Sequence, residues 1–259
     1  MDDSLIVSED PTRPGAGNAL AEVVEIARTV VYALAIALVL RVFLFQPFTI
    51  PSGSMIPTLQ LGDYIIVTKY SYGYSKHSIP FSPPIFKGRI FGRAPQRGDI
   101  VVFKDTKDNR TDYIKRLIGL PGDRIEVYDG VVYLNGRPIQ QRVLPAATLN
   151  EFSGVTTIEE TLPSGRRYTT QDINPNSAGD NAGKFVVPRG KYFFMGDNRD
   201  DSADSRFMSV GGEGIGYVPA ENLVGRARII LFSWDHVKLY NPITWFTRAR
   251  PERFFHVLH

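Results

Sequence analysis

The sequence predicts a mainly β fold preceded by one N-terminal transmembrane helix. Two observations carry the β assignment. Short runs of β-branched and aromatic residues recur from Phe48 to Trp234 between Gly- and Pro-rich breaks, and no segment beyond residue 47 keeps a helical period. A third observation carries the helix. Thr29 to Leu40 holds no charged residue, and after Arg41 the apolar run resumes as Val42-Phe-Leu-Phe45. As a helix at ~1.5 Å per residue this stretch covers roughly 25 Å, the short end of what crosses a bilayer.

Residues 1–28 are expected to form a polar tail and 29–46 the membrane anchor. A β core is expected over 47–136 and 189–259, with 137–188 as an inserted β and loop region. A buried core helix is one rival for the anchor, but such a helix would show a polar stripe, and none lies between Thr29 and Leu40. A cleaved leader is the other. The segment before it is long and acidic (Asp2, Asp3, Glu9, Asp10), and bulky Phe43-Leu-Phe-Gln46 stands where small residues would be needed. Arg13 and Arg28 flank the N-terminal side, while no Lys or Arg occurs from Gln46 to Thr68. The positive-inside rule therefore puts the N-terminus in the cytoplasm and the bulk of the chain outside.

Beyond the anchor, Phe48-Thr-Ile50 reads as a short strand running into the turn Pro51-Ser-Gly53, and Asp63 to Lys69 as a second strand. Tyr70 to Gln96 is a long Gly-, Pro- and aromatic-rich segment whose apolar residues are expected either to pack down or to dip into lipid. Gly98 to Lys104 and Thr111 to Ile118 continue the strands. Arg124 to Leu134 forms a hairpin turning at Asp129-Gly130. After the polar stretch 137–188, strands resume at Lys191 to Met195 and Leu223 to Trp234.

The absence of cysteine from the 259 residues excludes a thiol nucleophile, a disulfide and a Cys-based zinc site. A net charge of +3 from scattered Lys and Arg gives no support to a nucleic-acid partner. Ser54 stands out among the serines by its setting: Gly53 precedes it, and Pro51 and Pro57 stiffen the segment on both sides. Such a turn can present a hydroxyl while aiming backbone N–H groups at a developing oxyanion, with Ser52 offering a second donor.

A serine nucleophile needs a base. Of the histidines, His77 lies in the aromatic segment and His256 and His259 in the tail, so a Ser-His-Asp triad rests on His236 beside Asp235 alone. Lys115 is the better base. It alternates onto one strand face with Tyr113 and Leu117, opposite Ile114 and Ile118, and burial there would lower its pKa from ~10.4 toward neutrality. The bland alternative is a lysine on a half-exposed strand reaching out to water. Gly196 to Arg206 is dense in charge. Asp197, Asp200, Asp201 and Asp204 could bind a metal, but the spacing is not that of an EF-hand and the interleaved arginines compete for the carboxylates, so no metal is expected.

Taken together with the anchor, these motifs resemble bacterial type I signal peptidases (leader peptidases). The segments around Ser54, Asp63, Arg97 to Phe103, Lys115 and Gly196 to Arg206 occur in that family's order. The resemblance implies a signal-peptidase-like β catalytic core with an inserted second β region. It implies a serine endopeptidase that removes signal peptides after small residues (Ala-x-Ala-like), through an acyl-enzyme and without a cofactor. By the same resemblance, Ser54 is the nucleophile, Lys115 the general base, and the Ser52 hydroxyl with the Ser54 N–H the oxyanion hole. Ser202 orients the Lys115 amine, and Asp204 and Arg206 brace the site as an ion pair. Phe48, Ile50, Pro51, Met55, Leu59, Tyr113 and Ile114 match positions lining the substrate pockets. The implied partners are precursor proteins and the bilayer of the cytoplasmic membrane, with the catalytic domain on its outer, periplasmic side. Asp201 departs from the family's frequent asparagine, and one span is found where enterobacterial members have two.

Two other readings remain. A self-cleaving repressor of the SOS-response type shares the Ser/Lys chemistry but carries a DNA-binding or soluble arm instead of an anchor. An inactive membrane-tethered module would present a β edge to peptides.

Overall fold

The structure is a computed structural model that describes residues 16–145, 154–207, 214–235 and 242–259. The chain divides into two compact units, Met1–Arg41 and Val42–His259. The described part of the first lies in helix α1, Ala16–Phe43, within which Leu20–Phe43 is long and apolar enough to cross a membrane. The helix therefore begins well before Thr29 and stops short of Gln46. Its first turns contain Ala, Leu and Glu, all good helix formers, so the backbone stays helical through the charged residues that ended the hydropathy signal.

Among the described residues fifteen strands follow in chain order. They are β1 (Phe45–Thr49), β2 (Asp63–Thr68), β3 (Ile100–Lys104), β4 (Asp112–Gly119), β5 (Arg124–Tyr128), β6 (Val131–Leu134), β7 (Arg137–Pro138) and β8 (Gln140–Val143). Then come β9 (Thr156–Thr161), β10 (Arg167–Asp172), β11 (Gly183–Val186), β12 (Lys191–Met195), β13 (Val218–Pro219), β14 (Leu223–Ser233) and β15 (His256–Val257). A short helix α2, Pro242–Thr247, precedes β15.

The main sheet runs β1-β2-β14-β3-β4-β12-β13, with β15 added to β14. All of its pairings are antiparallel. Register shifts along β14 let one eleven-residue strand pair β3 at its start and β2 further on, so the sheet curls. One face buries Ile50, Met55, Leu59, Ile65, Val102 and Ile114, and the other Val101, Phe103, Leu117 and Phe194. Along β4 every residue from Ile114 to Gly119 is buried, and the packing alternates as the strand period requires, with Tyr113 and Leu117 on one side and Ile114 on the other.

Two smaller sheets, β10-β9-β8 and β11-β5-β6-β7, are formed mainly by the region between β4 and β12. The hairpin β5–β6, expected in the core, belongs to the second of them, because it pairs with β11 rather than with β4. The main sheet is thus left at Gly119 instead of at residue 136. Asp129 and Gly130 both hold positive φ (50° and 70°), the geometry of the tight hairpin turn that Asp-Gly favours.

Candidate active site

The segment from Pro51 to Gly62 is a loop closed at its base. Ile50 N donates to Asp63 O (2.9 Å) and Gly62 N to Ile50 O (3.0 Å). Asp63, fully buried, accepts from Gln60 N (2.8 Å) and from Arg253 Nε (3.0 Å). Inside the loop Ile56 N donates to Gly53 O and Leu59 N to Met55 O, while Met55 and Leu59 plug into the core. This anchors both sides of Ser54.

Ser54 and Lys115 meet. Lys115 Nζ lies 2.5 Å from Ser54 Oγ, and the two residues are only 3% and 8% exposed, Lys115 being the more buried. Burial lowers the Lys115 pKa from 10.5 to about 8; the carboxylates of Asp204, Asp197 and Asp201 oppose the shift, and Arg206 assists it. In the ammonium form the amine donates to Ser54 Oγ. In the neutral form the hydroxyl can donate to the amine, as an activated nucleophile requires.

The Gly196–Arg206 segment packs against this pair. Asn198 N donates to Ser54 O (3.2 Å) and Asn198 Nδ2 to Gly53 O (3.3 Å). The approach is possible because residue 196 is glycine: a Cβ there would sit 2.5 Å from Ser54 O and 2.2 Å from Ser202 Oγ. Asp204 is fully buried and accepts from Gly196 N (2.9 Å), Ser202 Oγ (2.9 Å) and Arg206 Nε (3.0 Å). Burial alone would push its carboxyl up, but the Arg206 guanidinium and these hydrogen bonds hold it below its usual value. The hydroxyl of Ser202, expected on the Lys115 amine, instead donates to Asp204.

Arg116, next to Lys115, points into an equally dry place. Its Nε and Nη2 reach Asp197 Oδ1 and Oδ2, both at 2.7 Å, and Thr58 Oγ1 adds a third bond to Asp197 at 2.6 Å. Asp197, weighed above as a metal ligand, is thus taken up by an arginine and a threonine. A signal for this pairing was present in the sequence. An arginine alternating onto the Ile114 and Ile118 face of a buried strand needs a buried anion.

The family model described as "Signal peptidase, peptidase S26" matches residues 23–234. The chain belongs to that family. It is a hydrolase, a serine endopeptidase of the signal peptidase I type. Among curated proteins, the signal peptidase I of Rickettsia typhi is 43% identical over 246 residues, 88% of this chain and 91% of that protein. The one from Rickettsia akari is 42% identical over 246 residues, 88% and 90% respectively. Among solved structures, a signal peptidase I from Enterococcus faecalis aligns at 29% identity with a TM-score of 0.32, covering 52% of this chain and 97% of that one.

For this signal peptidase family member, the remaining expected residues separate by burial. Ser52 and Pro51 are exposed at the loop's outer edge, Phe48 and Tyr113 are half-buried, and Ile50 and Ile114 are buried. Met55 and Leu59, expected in the pockets, have no exposed surface and pack into the core cluster that holds Ile50 and Ile114. Asp200 accepts from the backbone N–H groups of Ile173 and Asn174, so the carboxylates weighed as metal ligands are largely engaged within the protein. His236 lies outside the described residues.

Proposed function

We propose that this enzyme removes N-terminal signal peptides from exported precursors, with Ser54 as nucleophile and Lys115 as general base. The observation that carries the reading is the 2.5 Å contact between Lys115 Nζ and Ser54 Oγ in a nearly dry setting. The neutral amine takes the hydroxyl proton as Ser54 Oγ attacks the scissile carbonyl carbon. The resulting oxyanion is stabilised by the Ser54 N–H and the Ser52 hydroxyl. Lys115, now an ammonium, gives its proton to the leaving amine, the C–N bond breaks, and an acyl-enzyme forms. Water, deprotonated by the same amine, then releases the signal peptide as a free carboxylate and frees Ser54.

Phe48, Ile50, Pro51, Tyr113 and Ile114 bind the residues before the cut, with Met55 and Leu59 limiting pocket depth and so favouring Ala-x-Ala-like sites. β12 pairs only Arg116 to Gly119 of β4, so the Tyr113–Lys115 edge is available to an extended peptide. Asp204, Arg206 and Ser202 support the site as a buried polar unit behind the amine.

The enzyme is anchored by α1 in the bacterial cytoplasmic membrane as a single-pass protein, with the catalytic unit on the periplasmic side. Phe81 is 103% exposed, and Ile85, Phe91, Phe246 and Phe255 are also exposed, which supports contact with the bilayer surface. The test is direct: purified enzyme in detergent, mixed with a precursor carrying an Ala-x-Ala site, should release one shortened product, and Ser54→Ala should release none.

A further inference from the structure

The inserted sheet β10-β9-β8 sends a fully buried carboxylate toward the catalytic loop. Glu160 of β9 is 0% exposed and all of its acceptor capacity is used. Its Oε1 accepts from Arg199 Nη1 (2.7 Å) and Gln141 Nε2 (3.2 Å), and its Oε2 from Arg199 Nη2 (2.5 Å) and Tyr168 Oη (2.6 Å). Burial would push this carboxyl up, but the Arg199 guanidinium holds it ionised below its usual value. A charge pair this dry is costly to assemble, and weak evidence for stability alone.

Its position gives it a use. Arg199 follows Asn198, whose N–H and side-chain amide hold the carbonyls of Ser54 and Gly53. The same stretch is tied to β10 by its backbone: Gln171 N donates to Asp197 O (2.8 Å) and Arg199 N to Gln171 O (2.9 Å). Tyr168, bound to Glu160, lies with its ring 4.3 Å from the guanidinium carbon of Arg116, the residue that clamps Asp197 beside Lys115. Residues 197–199 are therefore held between the nucleophile loop on one side and the inserted sheet on the other.

We propose that Glu160 is a positioning residue for catalysis, acting through Arg199 and Tyr168 to hold residues 197–199 against the Ser54 loop and the Lys115 strand. It touches neither substrate nor reacting atoms. The proposal rests on the Ser54–Lys115 reading and deepens it, giving the inserted sheet a task in the chemistry. The charged groups facing Lys115 are Asp204, Asp197, Asp201 and Arg206, with the Tyr113 ring 6.0 Å from Nζ. Loosening residues 197–199 admits water beside the amine and lets its proton affinity climb back toward that of a solvated lysine.

The test uses the full-length enzyme in detergent, with rates normalised to the fraction of sites labelled by a serine-directed acylating probe. Glu160→Gln keeps the shape and removes the charge. Its kcat per active site is expected to fall by between about 10- and 100-fold. KM should change little, and the midpoint of the pH–rate profile should rise by about half a unit or more. Glu159→Gln, which removes the neighbouring exposed pair with Arg142, is expected to match wild type. A merely structural role would lower the number of active sites and leave the per-site rate and the midpoint alone. Should Glu160→Gln fail to fold, Tyr168→Phe, which keeps the ring over Arg116 and removes only the hydroxyl, is read on the same two quantities. Wild-type per-site kcat and midpoint in the variant that folds would overturn the proposal. Ser54→Ala is run in parallel: if it still cleaves, the Ser/Lys reading itself has failed, whereas an inactive Ser54→Ala beside an unaltered Glu160→Gln refutes only the role of Glu160.

Discussion

A lysine amine accepts a proton near neutral pH only where its charged form is made costly. At Lys115 that cost is burial, partly offset by Asp204, Asp197 and Asp201, and the balance leaves the pKa at about 8. Two outcomes follow for variants. Lys115→Arg keeps the charge but cannot give up its proton, so it is expected to be as inactive as Lys115→Ala in a precursor-cleavage assay. Lys115→Met should be inactive yet more stable at pH 7, on the order of 3 kcal/mol at most, because it relieves a buried charge. The sign is fixed by proton uptake: between pH 8 and 10.5 the unfolded chain binds the proton that the folded wild type has lost, so wild-type stability rises with pH through that window. The advantage of Lys115→Met, read by denaturant melts, is full below pH 8 and gone above pH 10.5. Strand alternation put Lys115 beside Tyr113 and Leu117 but left open whether it reached out to water, which its 3% exposure decides. Alternation could not show what Ser202 bonds to, since that depends on how a loop 87 residues further on (Lys115 to Ser202) folds back.

Two elements that are far apart in sequence, the Ser54 loop and the turn after β12, have to approach closely for the site to exist. Gly53 was the glycine that the sequence marked, yet the nearest atoms to a Cβ there are side-chain ends, Ile56 Cδ1 at 3.2 Å, Asp201 Oδ2 at 3.4 Å and Leu61 Cδ1 at 3.6 Å. Gly196 is the one that the packing cannot replace, since its Cβ would strike Ser54 O. Gly196→Ala is therefore expected to cost about 1–3 kcal/mol in stability and to lose most of its per-site kcat, whereas Gly53→Ala should lose much less of both; melts and active-site titration check both. The strands and the Asp129-Gly130 hairpin were legible because their signals are local. The true start of α1 was not, since hydropathy marks where a helix is apolar, not where its backbone becomes helical. The allocation of β5 and β6 to the second sheet was hidden for another reason: partner choice is a tertiary event, decided here by β11.

At the scale of the whole molecule, exposed Phe81, Ile85, Phe91 and Phe255 are the feature that an enzyme free in solution would not need. The sequence left open whether the aromatic segment packs down or meets lipid, and the structure buries Tyr72 and His77 while leaving Phe81, Ile85 and Phe91 out. A protein shortened to begin at Phe48 is expected to bind vesicles of anionic and zwitterionic lipid and to need lipid or detergent for full activity, and the Phe81→Ser, Phe91→Ser double variant to lose most of that binding in a flotation assay. Undiminished flotation of the double variant would remove those residues from the contact. In the proposed mechanism these features serve one chemical step at Ser54, and the pH dependence of that step is its most direct test. The measurement is the single-turnover rate at which a precursor acylates Ser54, followed from pH 5 to 11 in wild type and Lys115→Arg. With Lys115 as the base, the rate is expected to rise with a midpoint near 8 in wild type and Lys115→Arg to form no adduct at any pH. A wild-type midpoint of ~6.5, the range of an ordinary histidine, or an adduct on Ser54 in Lys115→Arg, would rule Lys115 out as the base.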